Sequence, residues 1–222
     1  MTALLGYQFA LLARSQRWLA PGLLYVAVLA VGIQSGQPVL DSLGYGAAAL
    51  LPVAAWLVRV CVTNEPPAAR HCASAAVGPG RVHLAALLTA FGSTAVAGTI
   101  GTVVIVLISR RTSTSGSVEV PPLAAVAAGL LAVLACTLVG TTVGALCNRP
   151  LLRATGWAVA LTALGALLAL VTAGSPARSA VTGLVSGSDS GTVAFALLPS
   201  AAALLLAGAA TAVTCALAAR RG

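Results

Sequence analysis

Six stretches of this chain are almost pure hydrocarbon, and they leave little choice of solvent. They cover residues 18–33, 45–62, 82–108, 123–146, 156–173 and 192–219. A helix that crosses a bilayer needs about 20 largely apolar residues. The first run is rather short at 16 residues, and the sixth is long enough to tilt or to include an interrupted segment. No Asp, Glu, His or Lys lies well inside any of them. Only Arg59 sits within a run, three residues from its end, where its long stem lets the charge snorkel to the headgroups. Charged residues make up 7% of the chain, and its mean hydropathy is +1.02. Soluble domains carry about 25% charge. The spacing therefore predicts an all-α integral membrane protein with six transmembrane helices, a single domain spanning residues 1–222.

Charge sets the orientation. All 12 basic residues are Arg, against the four acids Asp41, Glu65, Glu119 and Asp189. With the N-terminus inside, Arg14, Arg17, Arg59, Arg70, Arg81, Arg149, Arg153, Arg220 and Arg221 fall at or near the cytoplasmic side. Arg110, Arg111 and Arg178 fall outside. Basic residues in short loops favour the cytoplasm, so both termini are expected there. The Args mark the ends of apolar runs and form no patch, which argues against a nucleic-acid partner. The absence of Lys beside abundant Ala and Gly suggests a GC-rich genome, and the expected location is a bacterial plasma membrane.

Residues 1–17 read as a helix lying in the inner interface. Leu5, Phe9 and Leu12 share one side, and Arg14, Arg17 and Trp18 suit the headgroup region. The outer connections at 109–122 and 174–191 are rich in Gly, Ser and Pro. The second has an apolar centre at 180–185, consistent with a small helix dipping back into the outer leaflet. Pro52 and Pro199 fall inside the second and sixth runs, where each is expected to kink its helix.

Catalytic chemistry lacks material. Glu65, His71, Cys72 and His83 are ligand types, but their spacing fits no structural zinc pattern. Ser188 and Ser190 in "GSDSG" have no His on their side of the membrane, so no serine–histidine pair forms. Without Lys there is no phosphate-binding GxxxxGK[ST] loop. Five Cys with no CxxC spacing do not make a disulfide framework. "GTTVG", with Gly140 and Gly144, is a GxxxG that lets helices approach closely, and Gly92, Gly98 and Gly101 are further candidates in the third run.

The polar stretch "TNEPPAARHCASAAVGPGR" at 63–81 divides the second and third runs. Pro66-Pro67 stops the preceding helix, residues 70–77 suffice for about two helical turns, and Gly78-Pro79-Gly80 ends them. Glu65 and Arg70 can pair with each other or with a partner.

This order of parts resembles the membrane subunit of type-2 ABC exporters, and the small actinobacterial permeases look closest. The local likeness rests on Glu65 after the second span, Arg70 a few residues on, the small residues 73–77, and Gly78-Pro79-Gly80-Arg81 before the third. It covers the whole chain in layout but about 25 residues by motif. The double Pro departs from the family pattern. The resemblance implies a cytoplasmic coupling helix between spans two and three. It would be seated on an ABC ATPase subunit present in two copies, with Glu65, Arg70, His71 and Arg81 as coupling residues. It also implies a second permease subunit, identical or different. ATP and Mg would be bound by the ATPase; this chain would hold no cofactor and perform no catalysis. The substrate path would lie between permeases, and the aromatic-poor, nearly uncharged spans suit a greasy or amphipathic cargo. The competing reading is a membrane-embedded assembly or maturation factor resembling a haem-exporter permease; an intramembrane enzyme ranks third.

Overall fold

The computed structural model describes residues 1–110, 112–114, 118–151 and 154–221, the last by its backbone alone. Arg111 and Arg153, two of the charges used to orient the chain, lie outside the described residues, as does the side chain of Arg221. The described chain is helical throughout, with two isolated bridges, Pro38 with Arg110 and Thr112 with Glu119. Its helices are α1 (Thr2–Ser15), α2 (Leu19–Gly32), α3 (Val39–Asn64), α4 (Pro67–Val77), α5 (Pro79–Ile108), α6 (Pro122–Leu146), α7 (Thr155–Val171), α8 (Pro176–Ser190) and α9 (Leu197–Arg221).

Four of these, α3, α5, α6 and α9, are long and apolar enough to cross a membrane. A fifth crossing is made if α7 and α8, bent by 45° at their break, count together. The first apolar run gives only α2, whose 14 residues reach about 21 Å, short of a ~30 Å hydrocarbon core. α1 ends at Gln16, which adopts the left-handed conformation (φ 55°), and α2 ends before the turn around Gly36.

Proline and glycine set several boundaries away from the places their composition suggests. Pro38, Pro66 and Pro121 are extended residues immediately before α3, α4 and α6. Pro67, Pro79 and Pro122 open α4, α5 and α6 at the first helical position, where a missing N–H costs nothing. Pro67 thus starts α4, with Pro66 extended before it. Gly78, at φ 89°, is the whole break between α4 and α5, and Gly80 is already helical. Pro199 falls in the first turn of α9 and removes no hydrogen bond there; only Pro52 is interior to its helix.

α3 is the axis of the bundle. It touches α1, α2, α5, α6, α7 and α8. In its most apolar window 67% of residues are buried, against 28% for α9 at the periphery. Its tightest neighbour is α6. A β-carbon at Gly140 would collide with the Leu51 carbonyl oxygen and lie 2.7 Å from Ala54 Cβ; one at Gly144 would lie 2.7 Å from Val58 Cβ. The two helices meet backbone to backbone along these glycines. Gly98 is tight against Val133 and Leu50, whereas Gly92 has nothing within 4 Å. Most Thr hydroxyls inside the helices bond the carbonyl four residues back, as at Thr94, Thr102 and Thr141, which lets them enter an apolar core; fully buried Thr137 has no partner among the described residues.

The outward faces are apolar. Leu198 is 84% exposed, Leu205 76% and Trp157 70%. Apolar surface of that extent is stable against hydrocarbon or protein and not against water. The chain is therefore an all-helical, membrane-type protein with four to five helices fit to span.

Candidate partner-binding site at the α4 end

The polar stretch between α3 and α5 builds one end of the bundle. Three hydrogen bonds tie its parts. Asn64 donates from Nδ2 to the Leu11 carbonyl at 3.1 Å. Gln8 donates from Nε2 to Glu65 Oε2 at 3.3 Å. The Arg70 guanidinium donates to the Val62 carbonyl at 3.3 Å. The first two dock α1 on the end of α3, and the third folds α4 back on it. Leu12 seals the joint from below, packed in a cluster with Leu57, Val58, Cys61, Ala86 and Ala90.

Of the expected α1 stripe, Leu12 is buried, Leu5 is half-buried and Phe9 is 59% exposed. Gln8 takes the buried place, at 3% exposure, because its amide has Glu65 to bond. Hydrophobic periodicity carries no signal for such a residue, nor for Asn64.

The residues singled out by sequence separate into two groups. Glu65 and Arg70 face the bundle, both half-buried, and their hydrogen-bond partners are Gln8 and a backbone carbonyl. Their charges still act on each other. Burial lowers the Arg70 pKa first, Glu65 opposes that, and Arg149 nearby adds to it. The Tyr7 pKa is raised, by burial first and then by the Glu65 charge. Glu65 Oε1 is buried with no partner among the described residues. His71 and Arg81, by contrast, are exposed.

α4 itself has no buried residue. Ala69, Arg70, Ala73 and Ser74 are half-covered; Pro67 and Val77 at the two ends are exposed, and between them Ala68, His71, Cys72, Ala75 and Ala76 are exposed at i, i+3, i+4, i+7 and i+8. That spacing is a single helix face. It carries small side chains, one imidazole and one thiol, with no charged residue.

At the same end Arg59 leaves α3 sideways and donates to Asn148 Oδ1 at 3.0 Å. Asn148, 1% exposed, donates from Nδ2 to the Gly144 carbonyl at 2.8 Å and to Thr162 Oγ1 at 3.4 Å. One amide thus joins α3, α6 and α7. The Arg59 charge is held by protein and not by solvent alone.

Metal chemistry has no support here. Among the described residues no three of His, Cys, Asp or Glu stand together. Cys72 is exposed, Cys61 and Cys136 are buried, and all five cysteines are free. His83 is buried behind this end at 1% exposure, and both ring nitrogens lack partners among the described residues.

Fold and site together define a multi-helix membrane-type protein that presents one uncharged helix face beyond its apolar bundle. Comparison with family models, with curated proteins and with solved structures finds no match.

Proposed function

We propose that this chain is the membrane subunit of an ATP-driven exporter of the type-2 ABC class, in a bacterial plasma membrane. The observation that carries the proposal is α4. A helix with no buried residue, framed by two long apolar helices, bears an outward stripe of Ala68, His71, Cys72, Ala75 and Ala76. A solvated loop gains nothing from such a stripe. A small-residue helix face does seat in a groove on a partner. The partner is an ATPase subunit, in two copies, that binds ATP and Mg.

The element order supports the same reading. α1 is interfacial, α2 is a short first span, α3, α5 and α6 follow, and α7 is the fifth span. α8 dips back from the outer side, and α9 is the sixth span. Arg placement puts the α4 end and both termini in the cytoplasm. A second copy or a related subunit completes the substrate path.

Coupling follows from the joint. Closure of the ATPase pair pushes α4. Arg70 to Val62, Gln8 to Glu65 and Asn64 to Leu11 make α4, α1 and the end of α3 one body, so the push reaches the spans. The chain performs no bond chemistry. The test is copurification of the tagged chain from its native host. An ATPase of the ABC class should copurify, its activity should depend on this chain, and transport should stop on ATP depletion. Purification without an ATPase, with transport insensitive to ATP, would sink the proposal.

A further inference from the structure

At the end of α3 opposite α4, a pocket of about 470 Å3 opens between α2, α3 and α8. Asp41 lines it from the first turn of α3, with Tyr45 one turn on and Ala48 a turn beyond. Residues at i, i+4 and i+7 share one helix face, so carboxylate, ring and methyl stand in a row. Val181 and Val185 line it from α8, and Gln37 and Thr114 from the connecting segments. The polar groups are accessible: Asp41 and Gln37 are half-buried, Thr114 is exposed, and Tyr45 is 42% exposed.

The carboxylate is held but not neutralised. Thr114 donates to Asp41 Oδ2 at 3.3 Å, and its hydroxyl oxygen lies 2.9 Å from Ser188 Oγ. The single Thr114 proton goes to Asp41, so Ser188 is the donor of that second pair. The Thr114 N–H also donates to the Ser188 carbonyl at 3.0 Å, which ties Thr114 to α8. The Tyr45 ring is fixed as well, packed on Gly32 so closely that a β-carbon there would collide with it. No cation answers the Asp41 charge among the described residues. No Arg lines the pocket. Arg178 of α8 donates to the Val171 carbonyl, and Arg110 lies by Gly36. Asp41 Oδ1 accepts no bond among the described residues, and a lone anion beside hydrocarbon attracts a cation.

Size and charge restrict the occupant. Pockets for small molecules are about 300–1,000 Å3, far more than a bare ion fills. A calcium ion takes about six to eight oxygens, and this lining offers one carboxylate. We infer that the pocket binds a protonated organic amine from solution. Its ammonium donates to Asp41 and lies by the Tyr45 ring, and its hydrocarbon body rests on Val181, Val185 and Ala48. Asp41 and Asn64 are about 35 Å apart along α3, so the site reaches the far polar boundary of a ~30 Å hydrocarbon core, where a dissolved ligand has access. The inference does not rest on the exporter reading, because every residue it needs is in this chain.

Isothermal titration calorimetry on the full chain in detergent, corrected for empty micelles, tests it with phenethylamine, phenethyl alcohol and phenylacetate. The three probes share a body and differ in charge. The amine should bind at one site, about tenfold more tightly than the alcohol, and the acid should not bind. Asp41→Asn keeps the shape and an acceptor for Thr114; it should weaken the amine about tenfold and leave the alcohol unchanged. Tyr45→Leu should weaken the amine about threefold. Glu119→Gln, at an exposed acid outside the pocket, should change nothing. Equal binding of amine and alcohol, or an Asp41→Asn effect no larger than that of Glu119→Gln, would overturn the inference. So would displacement of the amine by millimolar calcium or by dioleoylphosphatidylethanolamine, because the pocket would then belong to a metal ion or a lipid headgroup. If Asp41→Asn fails to fold, Val185→Trp on the exposed side of α8 decides: it should fill the pocket and abolish amine binding, and undiminished binding would overturn the inference.

Discussion

Arg59 and Asn148, 89 residues apart in sequence, meet at 3.0 Å between guanidinium and amide oxygen, and the amide is almost fully enclosed. Through the same amide, α3 is joined to the Gly144 carbonyl of α6 and the Thr162 hydroxyl of α7. Replacing Asn148 by Ala should remove all three bonds and leave Arg59 without its acceptor. A hydrogen bond to a charged group contributes about 1.5–3 kcal/mol, so a stability loss of roughly that size is expected. Arg59→Gln keeps a donor and should lose less. Thermal unfolding in detergent, followed by dye labelling of the buried Cys61 and Cys136, measures both. Equal stability of Asn148→Ala and the parent would show that the bond contributes nothing.

The close contact of α6 with α3 predicts opposite outcomes for two glycines. Gly140→Ala must force Leu51 and Ala54 away, because the added methyl collides with their atoms. Overpacking of this kind costs about 1–3 kcal/mol. Gly92→Ala meets nothing within 4 Å and sits inside α5, so it should be neutral or stabilising by up to about 1 kcal/mol. The same unfolding assay ranks them. A harmless Gly140→Ala would refute the close packing.

Topology has a direct chemical readout. Cys72 is exposed on α4, and Ser190 ends α8 at the other end of the chain's spans. A membrane-impermeant maleimide should label Cys72 only from the cytoplasmic side. In a Ser190→Cys variant the new thiol should react only from outside. Cys61 and Cys136 should stay unlabelled until the protein is unfolded. The reverse sidedness would invert the orientation.

Coupling through α4 is tested by separating its two faces. Ala75→Arg alters the exposed stripe and leaves the joint intact; ATPase copurification should fall while the melting temperature is unchanged. Gln8→Ala removes the bond to Glu65 inside the joint. It should lower stability by about 0.5–1.5 kcal/mol, preserve copurification, and reduce transport per ATP hydrolysed. Loss of copurification in Gln8→Ala alone would place the partner contact on α1 instead.

Much of the architecture was legible because a bilayer leaves a strong mark on composition. Runs of about 20 residues without charge predict helices, and α3, α5, α6 and α9 lie where those runs lie. A helix within 174–191 and one within 63–81 were also legible, from an apolar centre in one and from Pro and Gly at the borders of the other. Proline boundaries misled where position within the first turn decides the effect: Pro67, Pro79 and Pro199 begin helices and do not break them.

The sequence by itself determined the solvent, the helical class and the uncharged character of the core, because those depend on composition and local spacing. It did not determine which face of α4 points outward. Glu65 and Arg70 seemed equivalent to His71 and Arg81 as charged or titratable loop residues, yet the first two turn inward. That choice was made by Gln8, Asn64 and the Val62 carbonyl, partners supplied by α1 and the end of α3. In the same way Arg59 found Asn148 across 89 residues. Polar pairing over such separations has no period, so only the packed bundle, where an unpaired buried group is costly, selects the partners.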